Sequence, residues 1–261
     1  MFDFHKDKKR YFEIQYKTAI NSIIPFLSET SFENKKVLEV GCGEAGILKA
    51  FAEKKAECLG VELNNNRVIL AKEFLKSEKF CHKIRFISDD IYNQFSSSEY
   101  KDFFDIIILK DVIEHIPNQQ QLLILLEKII KPSGKIFIAF PDWFSPFAGH
   151  QQMVRNKFFS RLPFYHLLPR PIYKSILKLA GQKPHIINEL LEIKTSGISM
   201  RKFEIFAKKS NLKTWRKKIY FVPPIYKFKF GLHEMESPVF FSSIPFVKEF
   251  FGLSCYYILT K

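Results

Sequence analysis

The stretch Val37-Leu38-Glu39-Val40-Gly41-Cys42-Gly43-Glu44-Ala45-Gly46-Ile47-Leu48 constrains what this chain can fold into more than any other. Val37, Leu38 and Val40 form the short, β-branched-rich apolar run that a buried parallel strand needs. Gly41 and Gly43 permit a tight turn and a close approach of the backbone to a ligand. A helical pattern follows, with Gly46 expected to let that helix pack near the strand. The spacing is Gly-x-Gly-x-x-Gly, and alone it fits dinucleotide binding as well as other adenosine cofactors. A glycine turn in some other α/β protein is the alternative.

Two acidic residues narrow the choice. Glu39 stands two residues before Gly41, at the strand's end. Glu44 sits inside the turn, where a pyrophosphate would rest on the helix N-terminus. A carboxylate there opposes a phosphate but tolerates a cofactor that carries an ammonium and a sulfonium, which describes S-adenosylmethionine (SAM). The stretch resembles the first motif of class I SAM-dependent methyltransferases. Further on, Asp111-Val112-Ile113-Glu114-His115-Ile116-Pro117 resembles the fourth motif of small-molecule methyltransferases related to ubiquinone-pathway O-methyltransferases. The resemblance covers residues 35–143 strongly and 199–261 weakly.

The resemblance implies an α/β fold. This is a Rossmann-like open, mostly parallel seven-stranded sheet with an antiparallel C-terminal edge strand and an inserted cap. It implies SAM as cofactor, bound by Glu39, Gly41, Gly43, Glu62, Leu63, Asp90, Ile91 and Lys110. Glu62 ends a second strand, 21 residues after Gly41, and would accept both ribose hydroxyls. Asp90 would meet the adenine amino group with Ile91 on the ring; Asp89 is the alternative alignment. No metal site is expected.

Taken in order, residues 1–30 read as an N-terminal helical segment, with Pro25 splitting its pattern into two short helices. Residues 31–143 read as the SAM-binding core, with strands and helices alternating as in an open parallel sheet and a turn at Lys131-Pro132-Ser133-Gly134. Residues 144–198 read as an inserted substrate cap over the edge where ligands bind. Residues 199–261 return to the core, with two late strands and a second basic, aromatic loop between them. In that loop Tyr226-Lys227-Phe228-Lys229-Phe230 alternates as a half-buried strand with a solvated lysine face. Residues 170–183 fit two readings: a basic amphipathic helix on an anionic membrane, or a cap helix with an apolar core face.

Charge is unevenly placed. The formal net charge is +14, and residues 144–261 hold 20 Lys/Arg against 6 Asp/Glu, while residues 1–143 hold 21 of each. The excess points to an anionic partner for the C-terminal part: a charged or lipid-linked small substrate, a membrane surface or nucleic acid. Cys42, Cys58, Cys81 and Cys255 are scattered, as for reduced thiols. No apolar run reaches the ~18 residues of a spanning helix, and the start Met1-Phe2-Asp3-Phe4-His5-Lys6 has no signal-peptide core. A cytoplasmic location is expected, peripheral at a membrane if the basic half docks there.

Methyl transfer from a sulfonium needs alignment and exclusion of water, and an oxygen acceptor also needs a base of near-neutral pKa. Three histidines compete for that role, in the order His150, His115, His166. His166 lies between apolar residues and reads equally as a satisfied core histidine. The first function expected is a small-molecule O- or N-methyltransferase acting on a sugar, a lipid-linked precursor or a phenol. An RNA or protein methyltransferase is the second. Against base N-methylation, the position of the Asn/Asp-Pro-Pro-Tyr/Phe tetrad reads Lys110-Asp111-Val112-Ile113. A non-catalytic SAM-fold binding protein is the third, and the intact acidic and glycine motifs oppose it. Glu44 opposes a dinucleotide oxidoreductase.

Overall fold

The computed structural model describes residues 7–95, 98–238 and 247–261. Met1 to Lys6, read above for a signal peptide, and residues 239–246 of the second aromatic loop lie outside them. Helix α1 (Lys8–Thr18) starts at Asp7, whose carboxylate accepts from Arg10 N at 2.9 Å. It continues without a break through a π-turn (Ala19–Ile23) into α2 (Ile24–Leu27). Pro25 cannot donate and would crowd the carbonyl four residues back. The wider turn absorbs it: Ile24 N–H reaches back five residues to Ala19 O. The expected pair of separate helices is thus one bent helix.

Strands β1 (Lys36–Val40), β2 (Glu57–Val61), β3 (Ile84–Ile87), β4 (Phe104–Lys110) and β5 (Ile130–Phe140) are parallel. Helices α3 (Gly46–Glu53), α4 (Asn65–Leu75), α5 (Ile91–Gln94) and α6 (Gln119–Ile129) connect them. The turn expected at 131–134 is drawn into β5. Pairing jumps from Phe104↔Ile130 to Ile106↔Lys135, so Lys131 to Gly134 bulge out of the ladder. The cap follows, with α7 (Arg170–Leu179) and α8 (Pro184–Ser196), then α9 (Met200–Lys209) and β6 (Lys213–Val222). A short helix α10 (Ile225–Phe230), the two-residue β7 (Met235–Glu236), α11 (Val247–Phe251) and β8 (Ser254–Thr260) complete the described chain.

The sheet order is β3-β2-β1-β4-β5-β8-β6-β7. Eight strands are present among the described residues where seven were expected; β7 is the addition. The terminal strand β8 is antiparallel but is not the edge. It runs between β5 and β6, because Cys255 to Leu259 are apolar on both faces and need covering on both. The lysine-rich β6 lies outside it, and the short β7 ends the sheet.

A second correction concerns residues 226–230. They are helix α10, not a strand. Pro224 starts the turn with its preset φ, and Gly231 ends it at φ +73°. Five alternating residues cannot outweigh such flanking signals. Helix α7 divides its apolar residues: Tyr173 and Leu177 are buried, whereas Ile172 and Leu179 are exposed.

Two apolar layers sandwich the sheet. One face packs on α1–α3 through Phe12, Ile23, Leu27, Leu48 and Phe51. The other packs on α6 and α9 through Leu122, Leu126, Met200 and Phe203. The cap has a separate cluster built on Tyr165, Tyr173, Leu177, Leu190 and Leu191. Its neck is closed by Trp143 N donating to Ile198 O at 3.0 Å. No helix among the described residues is long and apolar enough to cross a membrane.

Gly46 does not serve helix–strand packing. A Cβ there would meet the Phe12 carbonyl oxygen at 2.3 Å and Tyr16 N at 3.1 Å, so α1 crosses α3 at this glycine. Gly46→Ala should force α1 outward and destabilise the protein by about 1–3 kcal/mol. Thermal unfolding of the variant at the wild-type midpoint would refute that close crossing.

Candidate active site

The turn after β1 is built from backbone first. Gly41 N and Cys42 N both donate to Val61 O, at 2.8 and 3.2 Å, tying the turn to the end of β2. Gly41 and Gly43 hold φ of +67° and +55°. A Cβ on Gly41 would strike Val112 Cγ2 at 2.6 Å, and one on Gly43 would strike Arg67 Nη2 at 2.2 Å. These two positions therefore need glycine for conformation and for space.

Glu62 locks the turn. Its Oε2 accepts from Gly43 N at 2.9 Å and its Oε1 accepts from Asn64 N at 3.0 Å. Each carboxylate oxygen keeps a second lone pair. Glu44 is not the free charge that the sequence suggests. Arg67 grips it through two bonds, Nε to Oε1 at 3.2 Å and Nη2 to Oε2 at 2.9 Å, and Lys8 stands 3.2 Å away. Burial works to raise its pKa, but Arg67 and Lys8 outweigh burial and hold it below the usual range. The exclusion of phosphate thus rests on a committed Arg67, which leaves no spare cation at the turn among the described residues.

These groups open into one cleft of about 1850 Å³ at the C-terminal ends of β1, β2 and β4. Pockets for one small ligand are typically about 300–1,000 Å³, so there is room for a cofactor and an acceptor together. All eight expected cofactor residues except Gly43 line it, and Gly43 stands in the turn beneath Arg67. Glu39 is buried with its Oε2 unpartnered, and burial raises its pKa well above the carboxylate range. Asp90 Oδ1 caps α5 by accepting from Tyr92 N at 2.8 Å, Asp89 accepts from Asp90 N, and Ile91 is buried beside them. Leu63 is 72% exposed on the cleft wall. Lys110 ends β4, buried and paired with Asp111.

The residues fit SAM. An orphaned buried carboxylate oxygen on Glu39 can accept from an ammonium, Glu62 has lone pairs for hydroxyls, and no free cation at the described turn calls for phosphate.

The histidines separate. His115 and His150 stack edge to face with ring centroids 4.8 Å apart, and both line the cleft. His150 holds φ +54°, as Asp111 holds +55°, so backbone strain gathers here. Desolvation lowers the His115 pKa, with Asp111 opposing. His166 is elsewhere, buried in the cap. Its Nε2 donates to Trp143 O at 2.9 Å, which makes Nδ1 the acceptor from Gln151 Nε2 at 2.8 Å. Burial drives its pKa down to about 4. It is neutral, fully partnered and away from the cleft lining.

Glu114 escapes a reading of the sequence. It is buried with Oε2 unpartnered, and burial and Asp111 push its pKa up to about 8. Its Oε1 lies 3.9 Å from His115 Nε2. Glu114, His115 and His150 form a group whose donor atoms fall within 4.8 Å of one another, a donor set of the kind a divalent cation takes, although atoms sharing a zinc-sized ion stand roughly 3.3 Å apart. Lys229, Tyr11, Tyr226 and Tyr256 also line the cleft and were not anticipated. Only the Asp-Val-Ile-Glu-His motif itself carried a signal for Glu114.

A family model described as a methyltransferase domain matches residues 31–205, more than half of the chain. The ubiquinone biosynthesis O-methyltransferase of Proteus mirabilis is 28% identical over 105 residues, 40% of this chain and 41% of that protein. Its counterpart in Coxiella burnetii is 27% identical over 116 residues, 42% and 45%. The chain thus spans less than half the length of these curated relatives. A SAM dependent methyltransferase from Archaeoglobus fulgidus matches the whole of both chains with a TM-score of 0.56 at 16% identity, a likeness of fold.

Replacing Glu62 by Ala releases the Gly43 amide and removes the lone pairs facing the cleft. Affinity for S-adenosylhomocysteine should fall by about 2–3 kcal/mol, or roughly 30–150-fold. Isothermal titration of wild type and variant measures this, and equal affinities would remove Glu62 from the cofactor site.

Proposed function

The chain belongs to the methyltransferase-domain family of SAM-dependent class I enzymes, and on that premise we propose that it methylates an oxygen of a small acceptor. A phenol, a sugar or a lipid-linked precursor is the acceptor class. The observation that carries the reading is the His115–His150 pair, 4.8 Å apart in the cleft that the glycine turn opens into. The names of the curated relatives support an oxygen acceptor.

When bound, SAM supplies a methyl group activated by a positively charged sulfur. The protein's part is to hold the acceptor in line, keep water out and remove one proton. Phe147, Met153 and Arg161 bring the cap over the cleft opposite α1 and α10. Ser196 Oγ donates to Glu114 O at 2.6 Å, which fixes the end of α8 to the motif after β4. His150 would take the acceptor's hydroxyl proton, and bound SAM would supply the methyl group to that oxygen. His115 holds the His150 ring from the side. Because desolvation lowers the His115 pKa, the neighbouring ring adds no competing positive charge at pH 7.

His150→Ala should lower methyl transfer by about 10²–10⁴-fold and leave SAM affinity almost unchanged. The neutral imidazole is the form that takes a proton, so the wild-type rate should fall in acid. Once an acceptor is in hand, full activity in His150→Ala would move the proton to His115. Loss of SAM binding in that variant would place the cap loop in the cofactor site instead.

A further inference from the structure

The cleft has a second polar end, formed where α10 lies against α1. Lys229 projects into it from α10, with its Nζ 5.5 Å from the Tyr11 ring centre. No carboxylate forms an ion pair with Lys229 among the described residues. Lys110 is buried beside it and shares one carboxylate, Asp111. Two ammonium groups therefore face a single compensating charge, Asp111, while Glu44 is already taken by Arg67. The Tyr256 hydroxyl belongs to the same lining, is buried, and has no hydrogen-bond partner. Buried hydroxyls without partners are rare and call for a ligand or a water.

We propose that Lys229, with Lys110 and the Tyr256 hydroxyl, forms an anion-binding subsite that holds a carboxylate or phosphate of the methyl acceptor. This rests on the reading of the cleft as a methyl-transfer site. An acceptor anion there restores charge balance and gives Tyr256 an oxygen to donate to. The placement suits an acceptor. Asp111 interacts electrostatically with Lys110, Lys229 and His150, so the subsite and the histidine pair flank one residue. An acidic group bound to Lys229 would leave the rest of a small molecule beside His150. Desolvation, with Lys110 adding to it, lowers the Lys229 pKa to about 8 while Asp111 pulls the other way. That is the behaviour of a cation lacking its counter-ion. The subsite also gives part of the C-terminal charge excess a specific use inside the cleft.

The same chemistry could receive the carboxylate of SAM itself, and the test separates the two sources. Protein saturated with S-adenosylhomocysteine is titrated with benzoate and, separately, with inorganic phosphate, as wild type, Lys229→Met and Lys229→Arg. Lys229→Met keeps the stem and removes the charge; Lys229→Arg keeps the charge. We expect the loaded wild type to bind at least one of the two anions. Lys229→Met should weaken that binding about 10–100-fold, and Lys229→Arg should retain it within about threefold. S-adenosylhomocysteine affinity should stay within about twofold in all three. A loss of S-adenosylhomocysteine affinity in Lys229→Met, with anion binding intact, would assign the subsite to the cofactor carboxylate and overturn the proposal. So would a loaded wild type that binds neither anion, or equal weakening in both variants. Wild-type protein that fails to take up S-adenosylhomocysteine would instead refute the methyl-transfer reading on which the proposal stands.

Discussion

The Gly43 amide bonded to Glu62 is the contact on which the site depends. It joins the turn after β1 to the end of β2, beside the Gly41 and Cys42 amides on Val61 O. A turn held at both ends fixes what packs on it: Val112 over Gly41, and Arg67 over Gly43. Val112 carries with it the motif after β4, so the histidine at 115 is positioned, through backbone, by a glycine at 41. Arg67 in turn neutralises Glu44. One hydrogen bond between the segments that follow two neighbouring parallel strands thus sets both the cofactor half of the cleft and the start of the acceptor half.

Charge in this cleft is distributed unevenly, and the unevenness has a sense. Where the turn lies, cation and anion are matched: Arg67 and Lys8 on Glu44, with Arg67 also 3.6 Å from Glu62. Beyond β4 they are not. Glu114 keeps an unpartnered oxygen, as Glu39 does within β1, and Lys229 has no ion-pair partner among the described residues. Unpaired buried groups cost free energy that a purely structural core would avoid. Where they line the cleft they mark places that a bound molecule would complete.

The parallel half of the sheet was legible because its signals are local and redundant. Apolar strands ending in Glu39, Glu62 and Asp90, with helices between them, leave little freedom of topology. Elsewhere the sequence carried competing signals. Residues 226–230 alternate like a strand, yet Pro224 and Gly231 bracket a single helical turn and more. That misreading hid Lys229, since a strand's lysine face is solvated while this helix turns the residue into the cleft. Pro25 suggested a break because a π-turn leaves no trace in composition. The position of β8 was obscured too: edge and interior strands differ in what covers them, and the β5 and β6 partners on either side are far away in sequence. The histidine pair was partly legible. Both residues could be named, but their meeting depends on how the cap folds back.

That fold-back explains why a residue outside the cleft bears on the chemistry within it. A Cβ on Gly149 would lie 2.2 Å from His166 Cβ, so His166 packs directly beneath the residue before His150. His166 is held there by Gln151 on one side and the Trp143 carbonyl on the other, and Lys194 Nζ donates to the His166 carbonyl at 2.6 Å. These bonds span from the neck of the cap to α8. They leave the segment at Gly149 little room to relax, which is what a residue at φ +54° requires of its surroundings. Burial, by lowering the His166 pKa to about 4, keeps this brace neutral and intact around neutral pH. The two histidines therefore act in complement. His166 is desolvated and stays neutral as a brace, whereas His150 is held at the cleft, where an acceptor's proton would be taken.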